Sequence, residues 1–206
     1  MNNDPRSVLP RIVLASNNPS KLREFFALNT FGIELIPQHA LCVDKAPEPH
    51  STFIENALEK ARHAAHITGL PALADDSGLC VHALGGAPGV YSASYAKLAD
   101  DKQSDAANNA RLLEELREHS DRRAYYYCVL VLLRHVDDPE PLIASGRWNG
   151  EILTKAYTGN GFGYDPLFYV SDLQSSVAQL DLKVKNTYSH RALAVADLTQ
   201  RLENAW

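Results

Sequence analysis

At 206 residues, 45% of them hydrophobic, the chain is long enough to bury a full core as one domain or as one domain of two lobes. A formal net charge of -5, an isoelectric point near 5.9 and no basic run exclude a nucleic-acid polymer as the expected partner, because such binders carry a concentrated positive face. A small anionic ligand held by a few placed cations stays open.

The three cysteines, Cys42, Cys80 and Cys128, are far apart and lack paired zinc spacing, so they read as reduced core residues of a cytosolic protein. Residues 1–10 hold no apolar signal-like stretch, and the longest apolar run, Tyr125–Leu133, is far short of the ~20 residues that span a bilayer. The expectation is a soluble, cytoplasmic protein with no membrane partner.

Arg11–Ala15 is an apolar, β-branched run that leads into Ser16-Asn17-Asn18-Pro19-Ser20-Lys21 and then Leu22, Phe25, Phe26 and Leu28, the pattern of strand, polar loop and helix. A loop feeding a helix N-terminus offers unpaired N–H groups and the positive end of the dipole, which suits phosphate, and Lys21 adds a charge. It lacks the glycines of a Walker A motif, and an Asn-Pro turn with a capping serine is the plain structural alternative. Ile33–Pro37 reads as a second strand and Gln38–His50 as a Pro-rich loop carrying Asp44 and Glu48.

Thr52 and Glu55 form a capping box for a helix that puts Ile54, Ala57, Leu58, Ala61 and Ala65 inward and stops at Gly69, before Pro71. Its other face, with Glu55, Glu59, Lys60, Arg62, His63 and His66, reads as solvated. His63 and His66 lack a third ligand at sensible spacing, so no metal is assigned to them.

In Ala74–Tyr95 an apolar approach runs into Asp75, Asp76, Ser77 and Gly78. Residues 72–74 and 79–81 are strand-like, which predicts Asp75–Gly78 as an active-site loop at a strand end, with an Asp-rich surface turn as the alternative. Side chains alternate along extended backbone, so one aspartate can face a cavity while its neighbour points away. Gly85, Gly86, Pro88 and Gly89 predict a second tight loop before Tyr91 and Tyr95.

Ser104–His119 is predicted as a helix with Leu112, Leu113 and Leu116 inward, and Arg123–Arg134 as a long strand, apolar on both faces and so central in its sheet. Asp137–Pro141 reads as a turn, Leu142–Trp148 as a strand and Gly150–Leu153 as the next one. Thr158–Pro166 packs three glycines, two aromatics and one acid into a loop suited to a flat ligand or, alternatively, to a hairpin bend. Leu182–Arg191 leads into a helix striped by Ala192, Val195, Leu198 and Leu202. His190 and Arg191 at its start oppose the helix dipole, which points to an anionic or carbonyl-bearing ligand.

Six stretches in order, SNNPSK (Ser16–Lys21), TFIENA (Thr52–Ala57), ADDSGL (Ala74–Leu79), LGGAPGVY (Leu84–Tyr91), GFGYD (Gly161–Asp165) and SHR (Ser189–Arg191), closely resemble the inosine triphosphate pyrophosphatase, or Ham1-like, family. The resemblance implies an α/β fold with a long central mixed sheet flanked by helices, two lobes with an active-site cleft between them, and a homodimer. It implies hydrolysis of ITP, dITP and XTP to the monophosphate and pyrophosphate with Mg2+. Carried over by position, Ser16, Asn17, Asn18, Pro19, Ser20 and Lys21 bind the triphosphate, Glu48 and Asp76 hold magnesium, and Asp76 is the general base. Ser77 touches substrate, Lys60 lies near the phosphates, and Phe162, Gly163, Tyr164, Asp165, Lys185, His190 and Arg191 form the base pocket. Val184 stands where the family commonly has Glu, and residues 1–10 fall outside the pattern as an extension expected to be flexible, ahead of a single two-lobed domain at 11–206. A nucleotide-binding regulator without catalysis, or a phosphatase releasing orthophosphate, are the alternatives from other classes.

Overall fold

The computed structural model describes residues 11–29, 32–97 and 104–205. The extension at 1–10 lies outside the described residues. In chain order the elements are β1 (Arg11–Leu14), α1 (Pro19–Leu28), β2 (Glu34–Pro37), α2 (Phe53–Thr68), β3 (Ala72–Val81), α3 (Asp105–Glu115), β4 (Arg123–Leu133), β5 (Leu142–Ile152), β6 (Phe168–Val170), β7 (Ser175–Ser176), α4 (Leu182–Tyr188) and α5 (His190–Ala205). The seven strands form one sheet in the order β2-β1-β3-β4-β5-β6-β7. β1 runs parallel to β2 and β3, whereas β5, β6 and β7 pair antiparallel, so the sheet is mixed and the fold is α/β. β4 is the middle strand, as its two apolar faces require.

Two sequence expectations are corrected here. Asp75–Gly78 is not a loop at a strand end but the middle of β3, which runs unbroken from Ala72 to Val81. Leu142–Trp148 and Gly150–Leu153 are not two strands, because Gly150 continues β5 instead of turning it. A Cβ at Gly150 would lie 2.4 Å from the Tyr169 carbonyl oxygen, so glycine there serves close packing against β6.

The described residues divide into two compact units, the first through Asp76 with Val129–Ser145 and the chain from Ala194, the second Ser77–Cys128 with Gly146–Leu193. In the first, Ile12, Val13, Leu14, Phe25, Leu73, Leu130 and Leu132 are buried, with Ala57, Ala61, Ala64 and Ala65 of α2. Thr52 caps α2 by accepting the Glu55 N–H and donating to the Glu55 carboxylate at 2.5 Å, and Gly69 ends it with a positive φ of 65°. Two positions on α2 depart from expectation: Ile54 is 40% exposed, while Lys60 is buried instead of solvated. The second unit has its own core, in which Leu79, Val81, Leu112, Leu116, Tyr126, Trp148, Tyr164 and Phe168 pack together.

Candidate active site

In the first unit, the chain leaves β1 through buried Ala15 and Ser16 and starts α1 at an Asn18 cap. The Asn18 side-chain oxygen accepts the N–H groups of Ser20 (2.9 Å) and Lys21 (3.2 Å), and its carbonyl accepts that of Leu22 (3.0 Å). Pro19 has no N–H, and the Asn18 N–H donates to Ser16 Oγ at 3.3 Å. The amides expected to be open to phosphate are therefore already paired, and the cap is an asparagine instead of a serine. The groups left to face a ligand in this stretch are side chains: Asn17, which is exposed, and half-buried Lys21, whose ammonium donates to Asp75 Oδ2 at 2.7 Å. The Ser20 hydroxyl accepts from Arg23.

Lys60 is the hub of a second charged group. Its ammonium donates to Glu48 Oε1 at 2.7 Å and to Asp76 Oδ1 at 2.9 Å, drawing acids 28 positions apart in sequence onto one cation. Alternation along β3 explains why neighbouring aspartates take different lysines, Asp75 pairing with Lys21 and Asp76 with Lys60. Burial pushes the Asp76 carboxyl above its usual range, with Lys60 and Lys21 opposing. Burial also raises Glu48, but Lys60 and Lys45 outweigh it and leave that carboxyl below its usual range. For Lys60, desolvation disfavours the charge, yet Asp76, Asp75 and Glu48 together hold the ammonium firmly protonated.

A cavity of about 60 Å³ opens beside this group, lined among others by Ser16, Asn17, Lys21, Glu48, Lys60 and Asp75. Small-molecule pockets usually enclose ~300–1,000 Å³, so this space suits a phosphate or hydrated ion and not a base. Asp75 is on the lining, and Asp76 meets it through the shared Lys60. Among the described residues no group of three His, Cys, Asp or Glu side chains gathers as a metal cage. Two carboxylates converging on one cationic point nevertheless fit a hard ion such as Mg2+, which takes one or two protein carboxylates and fills its remaining positions with water and substrate oxygens.

Sequence reasoning missed Asn56 as a site residue. Its amide brackets the His50 backbone, donating to the carbonyl (3.1 Å) and accepting from the N–H (3.0 Å), and it also approaches Asp76 Oδ2 at 3.5 Å. The signal was present, since an asparagine in the first turn of an otherwise apolar helix face needs a partner.

In the second unit Asp165 gathers the expected base-pocket residues. Its Oδ2 accepts from Lys185 Nζ at 2.8 Å and from the Phe162 N–H at 3.1 Å, and its Oδ1 accepts from the Tyr126 hydroxyl at 3.4 Å. The Lys185 ammonium also sits 4.7 Å from the Phe162 ring centroid. The His190 ring stacks on Tyr126, 4.7 Å apart and 12° from parallel. Burial and then the Asp165 charge push the Tyr126 phenol well above its ordinary value, so it remains a donor. Tyr126 also packs in the core of this unit, so it links the core to the Asp165 cluster. Ser189 caps the turn that starts α5 by accepting the Ala192 N–H, and Arg191, 1% exposed, donates to Ser77 Oγ at 3.1 Å. Gly161, with φ of 121°, leaves room for Asp165: a Cβ there would lie 2.5 Å from Asp165 Oδ2. Tyr164 is buried and donates to the Ser92 carbonyl, which makes it a strut of the loop.

An α/β fold with a mixed sheet, carrying one acid–lysine cluster on its first unit and an acid–lysine–aromatic cluster on its second, defines a class that the comparisons then narrow. Residues 12–201 match the Ham1 family model, and the chain belongs to that family. It is 64% identical over 199 residues to a protein of Burkholderia pseudomallei named dITP/XTP pyrophosphatase, with 96% of each chain covered. It is 59% identical to a protein of the same name from Ralstonia nicotianae, covering 95% of this chain and 99% of that one. Among solved structures, a HAM1 protein from Coxiella burnetii matches with a TM-score of 0.87 at 47% identity, over 96% of this chain and all of that one. The Staphylococcus aureus Ham1 protein matches with a TM-score of 0.83 at 40% identity, over 95% and 100% of the two chains.

Proposed function

We propose that this protein hydrolyses noncanonical purine nucleoside triphosphates, ITP, dITP and XTP, to the monophosphate and pyrophosphate with Mg2+, and so removes them from the nucleotide pool. The observation that carries the reading is the convergence of Glu48 and Asp76 on Lys60 beside the Lys21–Asp75 pair, in a chain whose relatives bear the name dITP/XTP pyrophosphatase.

Glu48 and Asp76 would hold the ion, which when bound would supply neutralising charge at the phosphate oxygens and an oriented water. Lys21 and Lys60 add positive charge for the polyphosphate, aided by Ser16 and Asn17, while Asn18, Pro19 and Ser20 shape the loop and the start of α1. Asp76 takes the proton of the attacking water at its carboxylate, and burial makes it a stronger base than an exposed aspartate. Phe162 offers a ring face to the purine, and Gly163 and Tyr164 hold the loop that carries it. Asp165 and Lys185 fix that loop's polar side, and Ser77, His190 and Arg191 present donors to the 6-carbonyl that hypoxanthine and xanthine share. The family resemblance supports a homodimer, and the free cysteines Cys42, Cys80 and Cys128 agree with a cytoplasmic setting. Among the described residues no helix is long and apolar enough to cross a membrane.

Incubation with ITP, dITP, XTP and ATP, with Mg2+ or with EDTA, followed by separation of pyrophosphate from orthophosphate, tests this reading. Pyrophosphate from ITP, dITP and XTP but hardly from ATP, abolished by EDTA, is expected. Orthophosphate as the first product, or binding without turnover, would overturn it.

A further inference from the structure

Gly163, at the centre of the GFGYD loop, is gripped through both of its backbone polar groups by one helix. Its N–H donates to Asp105 Oδ2 at 2.6 Å, and its carbonyl accepts from Asn109 Nδ2 at 3.0 Å. Asp105 and Asn109 are four apart in α3, so they stand one above the other on one face, spaced to bracket a single residue across the two peptide units that flank it. Between them in sequence, Asn108 is 2% exposed and ties α3 to the preceding segment. Its Oδ1 accepts the Ala96 N–H at 2.7 Å, and its Nδ2 faces the carbonyls of Ser92 and Ala93 at 3.4 and 3.2 Å. The Tyr164 hydroxyl donates to the same Ser92 carbonyl at 2.8 Å. The start of α3 is thus fixed to residues 92–96 on one side and holds the loop on the other.

That grip has a directional consequence. Gly163 takes a φ of 62° and its neighbour Gly161 a φ of 121°, so the loop has little conformational preference of its own to place Phe162. Asp165 fixes the Phe162 N–H and Lys185 from within the loop, and α3 fixes the next peptide from outside. Phe162 lies between these two anchors.

We infer that Asp105 and Asn109 are positioning residues for base recognition: by clamping Gly163 at both its N–H and its carbonyl they set the Phe162 ring and the Asp165–Lys185 pair at the distance a purine requires. This rests on the reading of the GFGYD loop as the base-binding element. Neither residue touches substrate in this account; each acts through Gly163. A glycine-rich loop released from one anchor samples more conformations, and the bound one must then be selected from them, which weakens binding in proportion to its population.

The test uses the full-length protein and five variants: Asp105→Ala, Asn109→Ala, the double variant that combines them, Asp105→Asn and Phe162→Ala. Thermal melting, the dissociation constant for IMP, and kcat and KM for ITP and ATP are measured on each. Asp105→Ala combined with Asn109→Ala should weaken IMP binding and raise KM for ITP about tenfold, well within the ~100-fold that a 1 Å displacement can cost. kcat/KM for ITP and for ATP should fall together, as it does when the Phe162 ring itself is removed. Asp105→Asn keeps an oxygen acceptor for the Gly163 N–H and should restore most of the affinity. A merely structural role would lower the melting temperature but leave IMP affinity and KM for ITP unchanged in the folded fraction; that result overturns the inference. If Phe162→Ala itself leaves IMP affinity unchanged, the base-loop reading fails, and this inference fails with it. If Phe162→Ala weakens IMP but the double variant does not, only the clamp is refuted.

Discussion

Replacing Lys60 by Met removes the one cation that Glu48 and Asp76 share. Lys60 and Asp76 side chains are each 9% exposed and Glu48 is 31% exposed, so the pair with Asp76 carries most of the effect, while Glu48 keeps Lys45 at 2.7 Å. Removing one partner of a buried ion pair typically costs ~3–5 kcal/mol, because the remaining charge stays desolvated. In a chain of this size 1 kcal/mol moves the melting temperature by ~2–4 °C, which gives a fall of ~6–20 °C. The pH dependence has a definite sign. The Asp76 carboxyl already sits above its usual range, and loss of Lys60 raises it further. For an acid raised in the folded state, the associated stability is complete below the unfolded value near ~3.9 and is lost as pH rises through the folded value. The deficit of Lys60→Met should therefore shrink as pH is lowered from 7.5 toward 5. Mg2+ should also recover part of it, since a ligand of the folded state at ~100 times its dissociation constant adds ~2.7 kcal/mol. Calorimetric melting at both pH values, with MgCl2 and with EDTA, measures all three effects. A fall of less than ~3 °C, independent of pH and of magnesium, would refute the view of Glu48, Lys60 and Asp76 as one coupled buried cluster.

Asp76→Asn should remain folded but lose ~10²–10⁴-fold in kcat for ITP, because an amide does not take up the proton of water; wild-type turnover in a folded sample would remove Asp76 from the mechanism. Arg191→Ala should lower kcat/KM for ITP and XTP far more than for ATP, since adenine carries an amino donor where the others carry a carbonyl, and Phe162→Ala should lower all purines together. Survival of the ITP/ATP ratio in an Arg191→Ala, His190→Ala double variant would move 6-carbonyl recognition elsewhere. Asp138 is buried and accepts from the Arg134 N–H and guanidinium and from the Glu140 N–H, so Asp138→Ala should cost ~1–3 kcal/mol in chemical denaturation without changing kcat. Arg134 holds that carboxyl well below its ordinary range, so the wild type should lose this stabilisation as pH falls through the depressed value, while the variant shows no such step.

Local signals sufficed wherever a structural choice is made within a few residues. The capping box at Thr52, the Gly69 stop, the strands β1 and β2 and the two-sided apolar run of β4 follow from hydrogen-bonding needs and side-chain period, which a linear pattern carries. The six motifs likewise marked most of the stretches that bear proposed site residues, while Glu48, Lys60 and Lys185 lie outside them. Tertiary structure decided what depends on partners distant in sequence. Lys60 looked like part of a solvated helix face because nothing in its own turn reveals that Glu48, 12 positions earlier, and Asp76, 16 later, fold onto its ammonium. Asp75–Gly78 looked like a loop because its polar side chains mask an extended backbone whose neighbouring strands complete it. The helix start at Asn18 looked open to phosphate, yet a single side-chain rotamer closes its amides. Asp105, Asn109 and Gly163 carry no mutual signal across more than 50 positions, and only the folded chain brings that peptide to that helix. Periodicity specifies which face of an element is apolar; which charge meets which is settled by the packing of elements, where desolvation makes every buried ion find its counterpart.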